Sequence, residues 1–383
     1  IFNVAKRCIR DYQNGNDVVV VLSAMGKYTD ELIAKAKEIN PNPSKREMDM
    51  LFTIGEQMSV SLMAMAMDAL GVRAISLNAF QVAMHTTSNY GNARLKKIDT
   101  ERIRRELDDR KIVIVTGFQG INKYDDITTL GRGGSDTTAV ALAAELHADV
   151  CEIYTDVDGV YTADPRIVPN ARKMEEVTYD EMLEMASLGA KVLHSRCVEI
   201  AKKYGVELLV CSSLNRNSGT IVREKTKMEK MLISGVAADK NVARVRVAGL
   251  DNDPNSTFKL LNLLDKNNLN IDVMIQSIGK DNTKSVSFTV AKTDLLRTLD
   301  VLNAHQDSLG FKKLTSDDKV AKVSVIGAGV RSHSGVAAKM FGALANAGIN
   351  TEMVTTSEIR ITALINEDYA DLAMRAIHET FLE

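Results

Sequence analysis

The sequence contains 383 residues, and its 48 lysines and arginines nearly balance its 50 aspartates and glutamates. This length allows two or three domains, each with its own core, and the balance of charge argues against a nucleic-acid or membrane-surface partner. Aromatic residues make up only 5% of the chain and tryptophan is absent, which also disfavours base stacking. No apolar run approaches the ~20 residues of a membrane-spanning helix, so no membrane association is predicted.

The cysteines and histidines indicate neither a disulfide framework nor a metal centre. The four cysteines lack any CxxC spacing, which is typical of reduced thiols in a cytoplasmic protein. The six histidines form no cluster with metal-ligand spacing, so no structural metal site is predicted.

Apolar segments alternate with helical patterns through the first part of the chain. Apolar residues at helical spacing predict a first helix that ends at Asn14-Gly15. Patterns typical of helices then separate five segments that read as buried strands, at 17–26, 72–78, 111–118, 151–156 and 206–212. This alternation predicts a mostly parallel sheet with helices on both faces, in one α/β domain over residues 1–222.

The remaining region, 223–383, contains an internal repeat. Residues 242–274 match residues 320–354, and each segment reads as a strand, a loop, an amphipathic helix, an asparagine turn and a second strand. Small units of this kind pack in pairs because one alone buries too little surface. We therefore predict two related units, at about 241–305 and 319–383.

Two short motifs resemble nucleotide-binding signatures but lack their key residues. GAGVRS (327–332) has Ser332 where a dinucleotide fingerprint requires its third glycine. MGKYT (25–29) contains Gly-Lys without the upstream glycine of a P-loop, and Tyr28 replaces the Ser/Thr. Neither motif predicts a nucleotide site.

The segment LGRGGSD (130–136) places three glycines, an arginine and an aspartate directly before a predicted helix. Ligands of parallel α/β sheets bind at the carboxyl ends of the strands, where this loop is expected. Glycines let backbone N–H groups approach an anion, and the helix N-terminus adds partial positive charge. Arg132 can hold a carboxylate or phosphate through two hydrogen bonds, and Asp136 can accept an ammonium group or Mg²⁺. The alternative is a tight turn in which Asp136 caps the helix and Arg132 is solvated.

Two further segments carry polar groups next to predicted elements. YTDVDGVYTADPR (154–166) follows a strand and combines three aspartates with Arg166, which suits a nucleotide with bound Mg²⁺. An ordinary Asp-Gly turn is the alternative. FTIGEQMS (52–59) places Glu56 before a methionine-rich helical stripe, where a capping role is the alternative and the methionines are read as core.

Taken together, these segments resemble aspartate kinases of the amino acid kinase superfamily. The motifs that carry the resemblance follow the family's order: SAMGKYTD, FTIGEQ, YGNAR, GFQG, TTLGRGGSD, YTDVDGVYTADPR and GAKVLH. The resemblance implies a three-layer α/β sandwich around a mostly parallel sheet, with two ferredoxin-like (βαββαβ) ACT domains after it. The internal repeat would then be the two ACT domains.

One family motif is absent from the sequence. Aspartate kinases open with a KFGG-type strand and loop whose lysine approaches the transferred phosphate, and residues 1–20 resemble the helix and strand that come after that motif. We expect that the sequence omits this segment. The alternatives are a catalytically impaired, amino-acid-sensing ACT protein and a different amino acid kinase.

The resemblance implies ATP-dependent, Mg²⁺-dependent phosphorylation of L-aspartate to 4-phospho-L-aspartate, the first step towards lysine, threonine and methionine. It makes Arg132 and Asp136 catalytic, with Arg132 on the substrate α-carboxylate and Glu56 on its ammonium group. The implied substrate-binding residues are Ser23, Thr29, Thr53, Glu56, Phe118, Arg132, Gly134 and Ser135. The implied nucleotide-binding residues are Thr155, Asp156, Tyr161, Asp164, Arg166 and Lys191.

The ACT pair implies feedback control by an amino acid, with lysine as first choice and threonine as second. The implied effector site lies at a helix N-terminus, at Asn255, Ser256 and Thr257, with Asp272 placed for an ammonium group. ACT domains bury sheet edges against a partner, so a homo-oligomer is expected.

Overall fold

The computed structural model describes the whole chain except residues 190, 191, 216, 226–231, 280 and 383. Contacts between residues divide it into two compact units. Unit 1 is made of Ile1–Val160, Met174–Ala186 and Lys191–Lys227, and unit 2 is made of Tyr161–Lys173, Ser187–Ala190 and Met228–Glu383. The predicted division near residue 222 did not anticipate that the two short segments within the first half belong to unit 2.

Unit 1 alternates strands and helices, as the pattern of apolar segments predicts. Its elements are α1 (Phe2–Gln13), β1 (Val19–Leu22), α2 (Tyr28–Ile39), α3 (Lys45–Ala69), β2 (Ala74–Leu77), β3 (His85–Thr86), β4 (Leu95–Lys97), α4 (Glu101–Asp108), β5 (Ile112–Thr116), β6 (Gln119–Ile121), β7 (Ile127–Thr129), α5 (Gly134–Leu146), β8 (Cys151–Thr155), β9 (Glu176–Thr178), α6 (Tyr179–Ser187), α7 (Ser195–Tyr204), β10 (Leu208–Ser212) and β11 (Thr220–Arg223).

The strand at the centre of unit 1 is buried on both faces. β5 pairs in parallel with β1 on one side and with β2 on the other. Val113 and Val115 pack into one apolar cluster with residues of α4 and α5, while Ile112 and Ile114 pack into another with α1 and α3. A parallel strand covered on both faces reads as a continuous apolar run, which is why the sequence predicted it.

Two further sheets, each of four strands, complete unit 1 beside the three-stranded sheet β1-β5-β2. One has the order β8-β10-β11-β9, in which β8 and β10 are parallel and β10 and β11 antiparallel. The other has the order β4-β3-β6-β7 and includes the antiparallel pair β6–β7, directly before the glycine-rich loop. All five predicted strands are present, and the predicted α/β class with a mostly parallel sheet is confirmed.

Among the described residues, α3 is long and apolar enough to cross a membrane by length and composition alone. It packs against β2 and β5, and it carries two buried carboxylates, Asp49 (1% exposed) and Glu56 (4% exposed). A carboxylate is costly in hydrocarbon, and both groups contact protein atoms. We therefore interpret α3 as a core helix of unit 1.

Unit 2 contains the internal repeat. Its elements are β12 (Gly235–Asp251), α8 (Pro254–Lys266), β13 (Met274–Ile278), β14 (Thr283–Ala291), α9 (Leu295–Ala304), α10 (Gln306–Leu309), β15 (Lys313–Ile326), α11 (Gly329–Ser332), α12 (Val336–Asn346), β16 (Met353–Thr356), β17 (Arg360–Asn366) and α13 (Ala370–Leu382).

The two repeats share one six-stranded sheet, in the order β13-β14-β12-β15-β17-β16. The register of the two long central strands shifts between Asp239 and Arg244, so each strand contributes one half to each repeat. The first repeat is complete along the chain: residues 242–251, α8, β13, β14, α9 and residues 313–317 form βαββαβ. The two predicted ferredoxin-like units are confirmed.

The second repeat is completed from outside its own sequence. Its last strand is residues 235–239, which pair with residues 322–326 and precede the first repeat in the chain. Ile233 and Val236 accordingly pack into the apolar core of the second repeat. The units predicted at about 241–305 and 319–383 included neither residues 313–317 of the first repeat nor residues 235–239 of the second. An exchanged strand such as 235–239 leaves no signal when a sequence is compared with itself.

Candidate active site

The candidate site lies where four segments of unit 1 meet at the carboxyl ends of β1 and β5. The Gly117 amide donates to the Leu22 carbonyl (2.9 Å), which joins the two strand ends. The Ala24 amide donates to Glu56 Oε1 (3.2 Å), which adds α3. A Cβ built on Gly117 would lie 2.5 Å from Ser135 Oγ, so the first turn of α5 is in direct contact. This is the position that the sequence predicted for a ligand.

The glycine-rich loop needs its glycines for backbone shape and for close packing. Gly131 (φ +80°) and Gly133 (φ +66°) adopt the left-handed conformation, which is costly for residues with a Cβ. A Cβ on Gly133 would lie 2.3 Å from the His194 Cβ. A Cβ on Gly134 would lie 2.7 Å from the Phe118 ring, so this glycine serves packing.

The loop presents several backbone donors without acceptors. The Gly134 amide donates to the Gly131 carbonyl and the Thr137 amide to the Gly133 carbonyl, both at 3.0 Å. Within the described part of the chain, no acceptor is found for the N–H groups of Gly131, Arg132, Gly133, Ser135 and Asp136. Five unsatisfied donors around a helix N-terminus make a strong anion-binding arrangement.

The two charged residues of the loop lie in different environments. Arg132 is exposed, and its guanidinium makes no hydrogen bond or ion pair with any described residue. Asp136 is partly buried and likewise has no partner among the described residues, and burial raises its pKa to about 6. It lies within electrostatic reach of the buried thiols of Cys151 and Cys197. No side chain of the described residues caps α5, so Asp136 does not serve as the helix cap.

Glu56 combines burial with an unused acceptor. Its Oε1 accepts from the Ala24 amide, whereas Oε2 is buried and has no hydrogen-bond partner among the described residues. Burial raises the pKa of this carboxyl group. A buried, half-satisfied carboxylate at the end of β1 is suited to a cationic ligand group.

The other predicted substrate residues lie on or next to β1, α2, α3 and β5, and they differ in their hydrogen bonds and exposure. Ser23 comes directly after β1 and is exposed, and Thr29 lies in the first turn of α2. The Thr53 hydroxyl is committed to the Met50 carbonyl (2.9 Å), and its own carbonyl accepts from Gln119 Nε2 (2.9 Å). Phe118 has a left-handed backbone (φ +70°), a strained conformation of the kind that concentrates at functional sites.

Two of the predicted nucleotide residues end a strand of unit 1. The Thr155 carbonyl accepts from the Ser213 amide (2.8 Å) and hydroxyl (2.9 Å), so the ends of β8 and β10 are joined. Thr155 Oγ1 donates to Asp156 Oδ1 (2.9 Å), which orients an exposed carboxylate at the carboxyl end of the sheet.

The remaining predicted nucleotide residues belong to unit 2 or lie outside the described residues. Tyr161, Asp164 and Arg166 belong to unit 2, and Arg166 forms an ion pair with Asp164 (2.6 Å) that lowers the pKa of Asp164. Lys191 lies outside the described residues. Nucleotide binding by these four residues stays a prediction.

Three side chains that the sequence did not indicate as site residues contact the glycine-rich loop or its neighbours. His194 lies over Gly133, and its pKa is lowered by burial. Arg196 donates to the carbonyls of Leu130 (2.9 Å) and Ala93 (2.6 Å). Asp49 accepts from the amides of Gly91 and Thr129. Arg196 sits two residues beyond the GAKVLH motif, but nothing in one sequence indicates which backbone atoms it reaches.

The predicted effector residues of unit 2 are only partly brought together. Asp253 caps α8 by accepting from the Asn255 amide (2.6 Å) and the Ser256 hydroxyl (2.5 Å). The Thr257 hydroxyl donates to Gln276 Oε1 (2.7 Å) on β13. Asp272 lies beyond the opposite end of α8 and forms an ion pair with the buried Lys322. Within one chain, Asp272 therefore does not join the other three residues.

The described part of the chain contains no group of three or more His, Cys, Asp or Glu side chains placed to hold a metal ion. Asp136 and Asp156 are the predicted site carboxylates that can serve a metal held jointly with a phosphate ligand.

Comparison with known proteins agrees with this architecture. The amino acid kinase family matches residues 2–212, and an ACT domain matches residues 323–381. The aspartokinase of Bacillus sp. (strain MGA3) is 50% identical over 382 residues, which is 100% of this chain and 93% of that protein. The crystal structure of E. coli aspartokinase III in complex with aspartate and ADP (R-state) has a TM-score of 0.81 at 27% identity, over 92% of this chain and 80% of that one. The same enzyme in complex with lysine and aspartate (T-state) gives 0.72 at 28% identity, over the same shares of the two chains.

An α/β unit that matches the amino acid kinase family, followed by paired βαββαβ units of the ACT type, defines an amino acid kinase with an allosteric regulatory region. The chain is thus an enzyme of the phosphotransferase class. At 50% identity over its full length, it belongs to the aspartokinase family.

Proposed function

We propose that the chain transfers the γ-phosphoryl group of ATP to the side-chain carboxylate of L-aspartate, which yields 4-phospho-L-aspartate and ADP. The attacking carboxylate is already ionised at neutral pH and needs no general base. The work of the enzyme is then alignment and stabilisation of negative charge.

The observation that carries this proposal is the set of unsatisfied donors at residues 131–136. Five backbone N–H groups without acceptors among the described residues, next to a helix N-terminus and the exposed Arg132, suit a ligand rich in anionic oxygens. No histidine or cysteine lies in that segment, in keeping with a reaction that needs no base or covalent nucleophile.

We assign separate tasks to the charged side chains. Arg132 holds the α-carboxylate of aspartate through two parallel hydrogen bonds. Glu56 Oε2, which is buried and has no hydrogen-bond partner among the described residues, accepts from the substrate ammonium group. Asp136 and Asp156 are the carboxylates available to Mg²⁺, which when bound neutralises phosphate charge.

An acyl-phosphate trapping assay tests the proposal. With ATP and Mg²⁺, we expect hydroxylamine to trap product from L-aspartate at least ten times faster than from L-glutamate. When Arg132 holds the α-carboxylate, the side-chain carboxylate of glutamate extends one methylene further than that of aspartate. This mismatch costs about 1–3 kcal/mol in a fitted site. Equal rates with several acids would support a different amino acid kinase. No product from any acid, in protein that includes the KFGG-type segment, would support a sensing protein without catalysis.

For regulation, we propose that a free amino acid, lysine first and threonine second, binds unit 2 near the start of α8. Asn255, Ser256 and Thr257 are gathered there, and the Thr257–Gln276 hydrogen bond couples the helix to β13. β13 and β16 are edge strands of the six-stranded sheet, and Met274 and Ile278 of β13 are exposed. Edge strands with exposed apolar side chains favour a homo-oligomer of the chain. We further propose that this oligomer is cytoplasmic.

Addition of lysine tests the regulatory proposal. We expect millimolar lysine to lower aspartate turnover at least threefold and to raise the melting temperature, because a ligand that binds only the folded state stabilises it. Thr257→Val should weaken both effects, since it removes the hydroxyl that contacts Gln276 while keeping the side-chain shape. If neither lysine nor threonine changes activity or melting temperature, the assignment of unit 2 as an amino-acid sensor is wrong.

A further inference from the structure

A buried carboxylate of α3 holds the glycine-rich loop from one side. Asp49 is 1% exposed, and its Oδ2 accepts from the Gly91 amide and the Thr129 amide, each at 2.9 Å. Its Oδ1 accepts from the Thr129 hydroxyl at 2.8 Å. No described lysine, arginine or histidine forms an ion pair with Asp49, so its direct hydrogen bonds all come from two loop segments. These segments are residues 90–93 and residues 129–134.

A guanidinium from α7 holds the same two segments. Arg196 is half-buried, and it donates to the Leu130 carbonyl at 2.9 Å and to the Ala93 carbonyl at 2.6 Å. No carboxylate among the described residues forms an ion pair with it. The two segments also contact each other directly, since the Ala93 amide donates to the Thr129 carbonyl (2.8 Å). Two charged side chains from different helices thus make four hydrogen bonds with main-chain atoms where residues 91–93 meet residues 129–130. We call this contact the junction.

The contact of Arg196 with Leu130 fixes the direction of a site donor. In a planar trans peptide the carbonyl and the next N–H point to opposite sides. Because the Leu130 carbonyl is held by Arg196, the Gly131 N–H is turned away from α7. It is one of the five N–H groups without an acceptor within the described part of the chain. Loss of this contact would free the peptide to rotate at a glycine, where rotation meets little steric resistance.

We propose that Asp49 and Arg196 are positioning residues, which set the orientation of the 131–136 donors by holding residues 129–130 against residues 91–93. The inference rests on the proposed function, because it assumes that these donors bind the anionic groups of the substrates. Neither side chain is assigned to touch aspartate or ATP. Each acts through the backbone of the loop.

The test compares each variant with a control variant that loses a similar buried charge elsewhere in unit 1. Asp49→Asn is paired with Glu181→Gln, because Glu181 is also buried and also accepts from the amide and hydroxyl of a threonine, Thr178. Arg196→Gln is paired with Arg223→Gln, another mostly buried guanidinium, which forms an ion pair with Glu176 on β9. Both control sites lie on elements that carry no predicted site residue.

We expect Asp49→Asn and Arg196→Gln each to reduce kcat/KM for aspartate by 10- to 100-fold, mainly through a higher KM. The controls should change kcat/KM less than threefold at equal loss of melting temperature. Arg196→Lys should recover part of the loss, since an ammonium group can donate to one carbonyl. The double variant should lose less than the product of the single losses, because both residues act on one junction.

Three outcomes decide the inference. If the variants match their controls in kcat/KM at similar melting temperatures, the positioning role is wrong. If Asp49→Asn fails to fold, Thr129→Val replaces it: it removes only the hydroxyl bond to Oδ1, and a threefold or larger rise in KM supports the role. If the parent chain phosphorylates no acid, the proposed function fails first. Hydrogen exchange of residues 128–136 and 89–95 then still tests the junction, and exchange no faster than in the control variants would overturn it.

Discussion

Arg132→Ala is expected to reduce aspartate turnover by two to four orders of magnitude with little change in stability. The guanidinium is exposed and has no partner among the described residues, so its removal leaves no buried group unpaired. Surface substitutions of this kind change the free energy of unfolding by about ±0.5 kcal/mol. Removing one member of a substrate charge pair instead costs roughly 3–5 kcal/mol of binding. The measurement is steady-state kinetics with varied aspartate, together with thermal unfolding.

Two companion variants separate the charge of Arg132 from its hydrogen-bond geometry and from surface charge in general. Arg132→Lys keeps the charge but loses the two parallel hydrogen bonds, so an intermediate loss is expected. Arg105→Ala removes an exposed arginine of α4, which has no side-chain partner among the described residues, and should leave kinetics unchanged. Turnover by Arg132→Ala within threefold of the parent would remove the glycine-rich loop from the substrate site.

Asp136→Asn is expected to stabilise the protein at neutral pH while it lowers activity. Burial raises the pKa of Asp136 from 3.8 to about 6 in the folded chain, so the fold favours the protonated carboxyl group. Its contribution to stability is therefore fully present below about pH 4 and is lost as the pH rises through 6. At pH 7–8 the parent carries a partly buried carboxylate without a partner among the described residues. This charge destabilises the folded state by on the order of 1–3 kcal/mol. The asparagine removes this charge.

Urea unfolding at pH 4.5 and pH 7.5 measures this effect. The stabilisation by Asp136→Asn should be clear at pH 7.5 and small at pH 4.5, and kcat/KM for aspartate should fall at least tenfold. Thr137→Ser, at the neighbouring position, should show no such pH dependence. A stabilised variant with full activity would mean that Asp136 is a strained structural residue without a role in catalysis. The expected combination of gained stability and lost activity is typical of residues kept for function.

Much of the fold could be predicted because its elements carry local signals. The apolar runs at 111–118 and 206–212 appear as β5 and β10. β5 is buried on both faces, and such a strand needs uninterrupted apolar sequence. The helices of the two repeats appear at corresponding positions, as α8 and α12. The exchange of residues 235–239 into the second repeat could not be inferred from the sequence, since strand pairing depends on three-dimensional neighbours.

The candidate site, like the fold, could be predicted only in part. The glycines of 130–136 could be predicted as a ligand loop, because left-handed backbone and a helix start both have local requirements. The burial of Glu56 and the lack of a described partner for Asp136 could not, since both depend on the groups that pack around them. For Asp272, the residue type was evident but its distance from Asn255 was not. Asn255 lies at the start of α8 and Asp272 follows its end, and this helix of thirteen residues is about 20 Å long.

The order of residues by itself determined the class of elements, the repeat and the glycine-rich loop, because periodicity and glycine placement act over a few residues. The tertiary structure decided which atoms those elements present to each other. It turned Asp49 and Arg196, which look like ordinary helix residues, towards the backbone of the 129–134 segment. The reason is physical: burial, hydrogen-bond partners and pKa depend on every group within a few ångströms, and most of those groups are far apart in the chain.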